Sequence, residues 1–498
     1  MNETGRSTMG KQRKTEQASR RTFLKAGVGL ATGGTAAQAL PTVALAQGGP
    51  DTELSRLQGQ RRILLKGGVV LTLDRQVGDF TQADVLIEDG KIREIRPNIA
   101  AAGDAAAIVD ASNRIIVPGF IDTHSHSYQG ILRNILANGR VDPDYNRDII
   151  GKLTPAYTPE DAYTGMLASA LGLIETGTTG VIDVSQVNNT PEHSDALIRA
   201  LQDSGIRAVF GYAGGYGPGL KYPADLARLK QTFFSSKDQL VTLAFSGGPD
   251  PRMFAVAREH DVPFVTHVRN VLPQRDDGAR LLQLSRAGVL RPGDVYIHCL
   301  HFPADTWRLI KDSGGHVSLS PPIEMTMGHG TPAIQEALDN GVRPSLSSDH
   351  AVTLTSDMFT LMRSTSIVQR YFVMQRQRTG TQNLPPLLTC RDLLEFATIE
   401  GARCASIDRK VGTLTPGKEA DLLMLRADRI DVWPLNIASG AVVNLMGPSH
   451  VEAVFIAGNV KKWRGNLVGV DMQRVLRSMQ EARDGVLRRA GFQVDLLG

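Results

Sequence analysis

Short apolar segments alternate regularly with stretches of helical periodicity from Gly119 onward, and this alternation is the feature that most restricts the fold. Strands alternating with helices at this spacing favour βα units around a parallel sheet. Counting from Gly119 gives eight strands, which predicts a (β/α)₈ barrel. The predicted strands are 119–122, 181–183, 208–212, 241–245, 263–267, 295–298, 317–319 and 344–347.

Two β-rich flanks enclose this region. Residues 61–117 read as strands and turns, with an Asp-Gly hairpin signal at 88–91, and a β pattern returns over 412–468. We expect the flanks to fold together as one small β-sandwich beside a barrel spanning 118–411. Residues 469–498 are predicted to form a helix and tail, with Met472, Val475, Leu476 and Met479 on one helical face.

The amino terminus is read separately from the fold. Residues 1–46 hold seven of the 55 basic and two of the 51 acidic side chains, so the remainder carries 48 basic and 49 acidic residues. That balance gives no electrostatic footprint for nucleic acid. Residues 19–25 read SRRTFLK, and an uncharged run follows that ends in Ala-Leu-Ala. The layout is that of a cleaved export signal, followed by a linker over 47–60.

This segment resembles a twin-arginine signal peptide. The resemblance implies export in folded form, through the twin-arginine machinery, to a periplasm or the cell exterior. The run is too rich in Gly and Thr to predict a stable membrane anchor. Three cysteines without a C-x-x-C pair exclude a disulfide framework and a structural zinc finger, and Cys299 is expected to be buried and inert.

Histidines and one aspartate stand at predicted strand ends. His124 and His126 share a face of strand one, His267 and His298 end strands five and six, and Asp349 follows strand eight. In a barrel these strand ends converge on the carboxyl-terminal rim. Three neutral imidazoles and a carboxylate suit zinc or another divalent transition ion, with one position left for water.

The motif PGFIDTHSH at 118–126, with the preceding strands, resembles the amidohydrolase superfamily. Gly401-Ala402, Gly412-Thr413-Leu414 and the segment PGKEADL at 416–422 match that superfamily's return from barrel to sandwich. The resemblance runs from about residue 61 to about residue 468. It is strongest to the branch of cytosine, guanine and S-adenosylhomocysteine deaminases and atrazine-type hydrolases, and it is compatible with a homodimer.

The resemblance implies roles for the strand-end residues. His124, His126, His267 and Asp349 would bind one metal ion, with zinc expected first and iron or manganese as alternatives. His298 would polarise the substrate, and Asp349 would act as general base and acid. Relatives with two metals bridge them through a lysine on strand four. Strand four here, at 241–248, contains no lysine.

Two departures from the branch concern the substrate. Asn270 stands where the deaminases carry a glutamate that moves a proton to the ring nitrogen, and an amide cannot do this at neutral pH. Glu324 and His329 after strand seven, and His350 after Asp349, are additional polar groups near the rim. For Glu324 and His329 a surface role and a catalytic or binding role are both open. These four residues are the candidate substrate contacts.

The sequence therefore predicts a metal-dependent hydrolase that cleaves a non-peptide C–N bond of a small molecule, with amides or cyclic amides preferred because of Asn270. Deamination of an amino-substituted heterocycle is the alternative. A non-catalytic periplasmic binding protein is a more distant one.

Overall fold

A computed structural model describes residues 52–100, 106–236, 238–271 and 273–497 of the 498-residue chain. The predicted signal peptide, 1–46, lies outside the described residues. No helix in the described residues has the length and apolar character needed to cross a membrane.

The first flank is built from short strands. Its hairpin turns at Asp89 and Gly90, both with positive φ, as a two-residue turn between antiparallel strands requires. In chain order the elements are α1 (Thr52–Leu57), β1 (Arg62–Val70), β2 (Phe80–Glu88), β3 (Lys91–Arg96), β4 (Ala107–Asp110) and β5 (Arg114–Pro118).

Eight parallel strands form the barrel wall, as the alternation predicted. The wall closes where Asp349 N–H donates to the carbonyl of His124 (2.9 Å) and His126 N–H donates to the carbonyl of Asp349 (2.6 Å). The wall strands, with the short β11 that pairs antiparallel to β10, are β6 (Phe120–Ser125), β7 (Thr178–Ser185), β8 (Arg207–Tyr212), β9 (Val241–Ser246), β10 (Phe264–Val271), β11 (Arg275–Asp276), β12 (Val295–Leu300), β13 (His316–Leu319) and β14 (Ser345–Leu346).

Helices cover the outside of this wall. The first begins at a capping box, in which the Thr158 side chain accepts from Asp161 N–H and the Asp161 carboxylate accepts from Thr158 N–H. The helices are α2 (Pro159–Glu175), α3 (Pro191–Ser204), α4 (Leu226–Phe233), α5 (Pro251–Glu259), α6 (Asp277–Arg286), α7 (Ala304–Asp312), α8 (Pro321–Thr326), α9 (Ile334–Asp339), α10 (Met358–Arg378), α11 (Cys390–Ala397) and α12 (Ile399–Cys404).

The second flank returns to the first, as predicted, and hydrogen bonds join the strands of both flanks into one sheet. Strand β15 pairs antiparallel with β5, and β1 carries register shifts on both sides of Gly68. Such bulges bend a strand, so one sheet wraps its apolar side chains around a single core. The elements are β15 (Leu422–Arg426), α13 (Ala438–Gly440), β16 (Val451–Ile456), β17 (Asn459–Trp463), β18 (Asn466–Leu467) and α14 (Met472–Ala490).

The predicted apolar face of α14 is wrong in its first half. Met472 and Leu476 are exposed, and the buried contacts come later in the helix, at Ala482 and Val486. Arg489 near the end of α14 pairs with Asp161 of α2 and donates to the carbonyl of Ala156. Contacts from Met479 onward, and not those of Met472 and Leu476, therefore hold this helix against the core.

Candidate metal centre and active site

Five side chains from four barrel strands meet at the carboxyl-terminal rim. His124 lies in β6 and His126 follows it, His267 lies in β10, His298 in β12, and Asp349 comes just after β14. Four of them are buried and His267 is partly buried. The structure thus brings together all the residues for which the sequence suggested metal binding or substrate polarisation.

The distances define one compact cluster. Asp349 Oδ1 lies 3.2 Å from His124 Nε2 and 3.5 Å from His126 Nε2, and Asp349 Oδ2 lies 3.7 Å from His298 Nε2. His267 Nε2 is 3.2 Å from His124 Nε2. The ligand atoms of His124, His126 and His267 all lie within 4.8 Å of one another, as do those of His124, His298 and Asp349.

A hydrogen bond from His126 to a backbone carbonyl determines which ring nitrogen faces the cluster. Nδ1 of His126 lies 2.8 Å from the carbonyl of Val184, an oxygen that can only accept, so Nδ1 carries the proton. Nε2 is then unprotonated and points its lone pair toward Asp349. This arrangement is typical of an imidazole metal ligand held by a backbone carbonyl.

The electrostatics of the cluster favour a cation. Burial lowers the pKa of His124 to about 3 and lowers the pKa values of His126 and His267 as well, so these imidazoles are neutral at pH 7. Burial would raise the pKa of Asp349, but His350 and His124 hold it well below its ordinary value. Three neutral nitrogen donors and a carboxylate fit a divalent transition ion.

Two residues of the cluster have strained backbones. His298 has φ of 72° and Asp349 has φ of 60°, in the left-handed region that non-glycine residues rarely adopt. Such strain costs roughly 1–3 kcal/mol per residue and concentrates at functional sites. His298 has this φ within the last three residues of β12, and Asp349 has it just after β14.

Glu324 lies behind His298. Its Oε1 is 2.9 Å from His298 Nδ1 and also accepts the N–H of Ser320 at 2.9 Å, and its side chain is fully buried. Glu324 is therefore not among the residues that line the cleft. The expectation that it is a substrate contact is corrected, because its carboxylate orients an imidazole and does not reach the substrate space.

The structure also places Asn270 away from the cleft. Its Oδ1 accepts the N–H of Gly278 at 3.0 Å, and its Nδ2 donates to the carbonyl of His301. Side chains alternate along β10, so Asn270 faces the helices while His267 and Arg269 face the rim. The prediction that Asn270 contacts the substrate is therefore wrong. As an amide, Asn270 still cannot replace a catalytic glutamate.

An open cleft of about 400 Å³ lies above the cluster. His329 and His350 line it, as the sequence analysis proposed, and burial lowers their pKa values to about 3 and about 4. The ring of Tyr145 stacks on His350 with centroids 5.0 Å apart. The cleft is of a size that suits a small organic molecule.

Several cleft residues were not predicted from the sequence, among them Tyr145, Arg269 and Arg275. Arg269 had a detectable signal, since it stands two residues after His267 on a strand and so shares its face. Tyr145 and Arg275 lie on rim segments without a recognisable motif, and only the folded chain brings them to the cleft.

A parallel barrel with a His₃Asp cluster at its carboxyl-terminal rim defines a metal-dependent hydrolase. The profile of the Amidohydrolase family matches residues 115–461, and the chain belongs to this family. The deaminases among the relatives described next act on C–N bonds, in agreement with the hydrolase expected from the sequence.

Relatives of known activity cover almost the whole described chain. A 5-methylthioadenosine/S-adenosylhomocysteine deaminase of Acetivibrio thermocellus is 27% identical over an alignment of 449 residues, which covers 86% of this chain and 100% of the relative. A 5'-deoxyadenosine deaminase of Methanosarcina mazei is 24% identical over an alignment of 452 residues, which covers 86% of this chain and 99% of the relative.

Solved structures support the fold. An adenosine deaminase from Xanthomonas campestris with bound zinc has a TM-score of 0.74 at 20% identity, covering 86% of this chain and 98% of that one. An atrazine chlorohydrolase from Arthrobacter aurescens in complex with zinc has a TM-score of 0.69 at 20% identity, covering 84% and 100%.

Proposed function

We propose that this protein hydrolyses an amide or cyclic-amide C–N bond of a small molecule bound in the cleft. One observation carries the proposal: among the described residues that line the cleft, Asp349 is the only carboxylate. Attack on a carbonyl carbon needs one group to take a proton from water and return it to the leaving nitrogen. A single carboxylate can do both, whereas protonation of a heterocycle nitrogen requires a second acid.

The metal is part of this proposal. His124, His126, His267 and Asp349 would hold one divalent ion, and we propose zinc because three imidazoles and a carboxylate suit it. When bound, the ion supplies Lewis acidity and lowers the pKa of water from 15.7 to about 7.

The chain's own groups perform the remaining work. Asp349 takes the proton of the attacking water and delivers it to the leaving nitrogen. Because Nδ1–H of His298 donates to Glu324, the ring must carry a second proton on Nε2, 3.7 Å from Asp349 Oδ2. This Nε2–H donates to the carbonyl oxygen as negative charge develops on it. Glu324 holds Nδ1 of His298, so the ring keeps the orientation that this donation needs.

Deamination of an amino-substituted heterocycle is the second candidate. It is favoured by the deaminase relatives, which match this chain over nearly their full length. The neutral imidazoles of His329 and His350 line the cleft and are the groups that would contact a ring nitrogen. If the protein is a deaminase, one of these imidazoles would move the proton to the ring nitrogen, a task that Asn270 cannot perform.

Product analysis distinguishes the two reactions. Zinc-reconstituted protein is incubated with a panel of linear amides, cyclic amides and amino-substituted heterocycles, and products are identified by mass spectrometry and an ammonia assay. Ring opening of a cyclic amide to a carboxylate without ammonia supports the first reaction. If ammonia is released from amino-substituted heterocycles and no amide is hydrolysed, deamination replaces amide hydrolysis as the proposed reaction. Asp349→Asn protein is the control for contaminating activity.

We further propose that the chain is exported by the twin-arginine route, on the basis of the SRRTFLK segment at 19–25. Full-length protein should appear in the periplasmic or extracellular fraction of a twin-arginine-competent bacterium. The double variant Arg20→Lys, Arg21→Lys should stay in the cytoplasm. Equal export of both proteins would contradict the proposal.

A further inference from the structure

Two guanidinium groups line the same cleft as the metal centre. Arg269 is on β10, two residues beyond His267, and Arg275 is on β11. Val271 and Arg275 are paired across the β10–β11 hairpin, so Arg269 and Arg275 are diagonal neighbours on one face of it. Two like charges are therefore held close together at the mouth of the site.

Arg275 is neutralised by the protein. Its Nε lies 2.5 Å from Asp277 Oδ2, and its Nη2 donates to the carbonyl of His267 at 2.8 Å. Asp277 is buried, also accepts the backbone N–H of Arg269 and pairs with Arg280. Its single negative charge is therefore already shared by two guanidinium groups, those of Arg275 and Arg280.

Arg269 is not neutralised in this way. Its guanidinium makes no hydrogen bond and no ion pair with any side chain in the described part of the protein, although the residue is partly buried. The acidic groups that act on it through space are Asp277, already paired, and Asp142, which is exposed. Asp349, the one carboxylate among the described residues that line the cleft, belongs to the metal cluster.

We propose that Arg269, supported by Arg275, is a subsite for a carboxylate group of the substrate. This inference rests on the proposed hydrolysis of a small molecule in this cleft and names its class: an amide or cyclic amide that also carries a carboxylate. A planar guanidinium binds a carboxylate through two parallel hydrogen bonds. One unneutralised positive charge matches one negative charge, and binding would supply the partner that Arg269 lacks.

A binding experiment tests the subsite without turnover. Benzoate and its neutral counterpart benzamide are titrated into zinc-reconstituted protein by calorimetry. Wild type should bind benzoate about 10–100-fold more tightly than benzamide, as expected for a charge-assisted pair. Arg269→Met should lose that preference while its benzamide affinity stays within about twofold, since no charge on benzamide meets the guanidinium.

Two further variants sharpen the test. Arg269→Lys keeps the positive charge but not the planar guanidinium, so it should retain an intermediate preference for benzoate. This variant also keeps the test valid if Arg269→Met does not fold. Arg308→Met removes an exposed arginine of α7 outside the cleft and should bind benzoate like wild type.

Two results would overturn the subsite. One is equal affinity of wild type for benzoate and benzamide. The other is an unchanged benzoate preference in Arg269→Met, which would place the anion on the metal. The binding experiment does not measure turnover, so it is independent of the hydrolysis screen. If no amide is hydrolysed but benzoate is clearly preferred, only the proposed reaction is overturned.

Discussion

His298 Nδ1 and Glu324 Oε1 lie 2.9 Å apart in a buried hydrogen bond that joins strand β12 to helix α8. Because the same carboxylate oxygen also accepts the N–H of Ser320, Glu324 is fixed before any ligand arrives. The pair directs Nε2 of His298 toward Asp349. It explains how a residue with strained φ keeps one ring orientation at the rim.

Glu324→Gln should lower kcat by about 10–100-fold, as is usual when a partner behind an active-site residue is lost. The amide oxygen can still accept from Ser320 N–H and His298 Nδ1–H, but the negative charge beside His298 is lost. KM and metal content should stay near the wild-type values, and the pH profile of kcat should shift. Glu481→Gln, on the exposed part of α14, is the matched control. A wild-type kcat would show that the pair has no role in orientation.

Asp349→Asn should reduce turnover by about 10²–10⁴-fold, because an amide neither takes nor returns the proton. The fold should survive, as judged by circular dichroism, since asparagine has nearly the same shape. Steady-state kinetics on the substrate found in the product screen measures the effect. Asp305→Asn, an exposed residue of α7, is the control. Retained turnover would exclude Asp349 as the acid–base group.

Removing the metal should lower the stability of the protein. An ion that binds only the folded state contributes about 4 kcal/mol when its concentration is 1,000 times Kd. Chelator-treated protein should therefore melt at a lower temperature, and titration with zinc should restore the melting temperature. His126→Ala should abolish most of this zinc-dependent shift. An identical melting curve with and without zinc would argue against the His₃Asp centre.

Arg207→Met should destabilise the protein by about 3–5 kcal/mol, the range for breaking a buried ion pair. Arg207 of β8 reaches Asp421 with two hydrogen bonds of 2.9 Å and Glu419 with one of 2.6 Å, which connects the barrel wall to the flanking sheet. Its removal leaves the buried Asp421 carboxylate without a cation.

Urea unfolding measures this loss. Arg252→Met breaks an exposed pair with Asp250 and should cost only about 0–1 kcal/mol. Equal losses in the two variants would mean that the buried connection does not stabilise the fold.

The three cysteines should differ in reactivity. Burial raises the pKa of Cys299 well above its ordinary value and raises that of Cys404 to about 12, so neither forms a thiolate near pH 8. Cys390 is partly exposed. Iodoacetamide should label Cys390 alone in native protein and all three after denaturation, as read by mass spectrometry. Native labelling of Cys299 would contradict its expected inertness.

The barrel and the residues of the metal site could be predicted from the sequence alone. Alternating strands and helices predicted eight βα units, because burial of one sheet against helices leaves a periodic apolar pattern. The shared face of His124 and His126 followed from the period of two along a strand. The apolar segments placed His267, His298 and Asp349 toward the carboxyl ends of their strands, although β10 and β12 continue to Val271 and Leu300. Barrel topology then requires these ends to meet at one rim.

Details at the rim depended on tertiary contacts. Glu324 is hydrogen-bonded to His298, and Asn270 accepts the N–H of Gly278. These partners are determined by how the loops and helices after each strand pack. The free guanidinium of Arg269 likewise depends on where Arg275 and Asp277 fold. Sequence periodicity determines which face a residue occupies, but only packing in three dimensions determines which atoms lie within hydrogen-bonding distance of it.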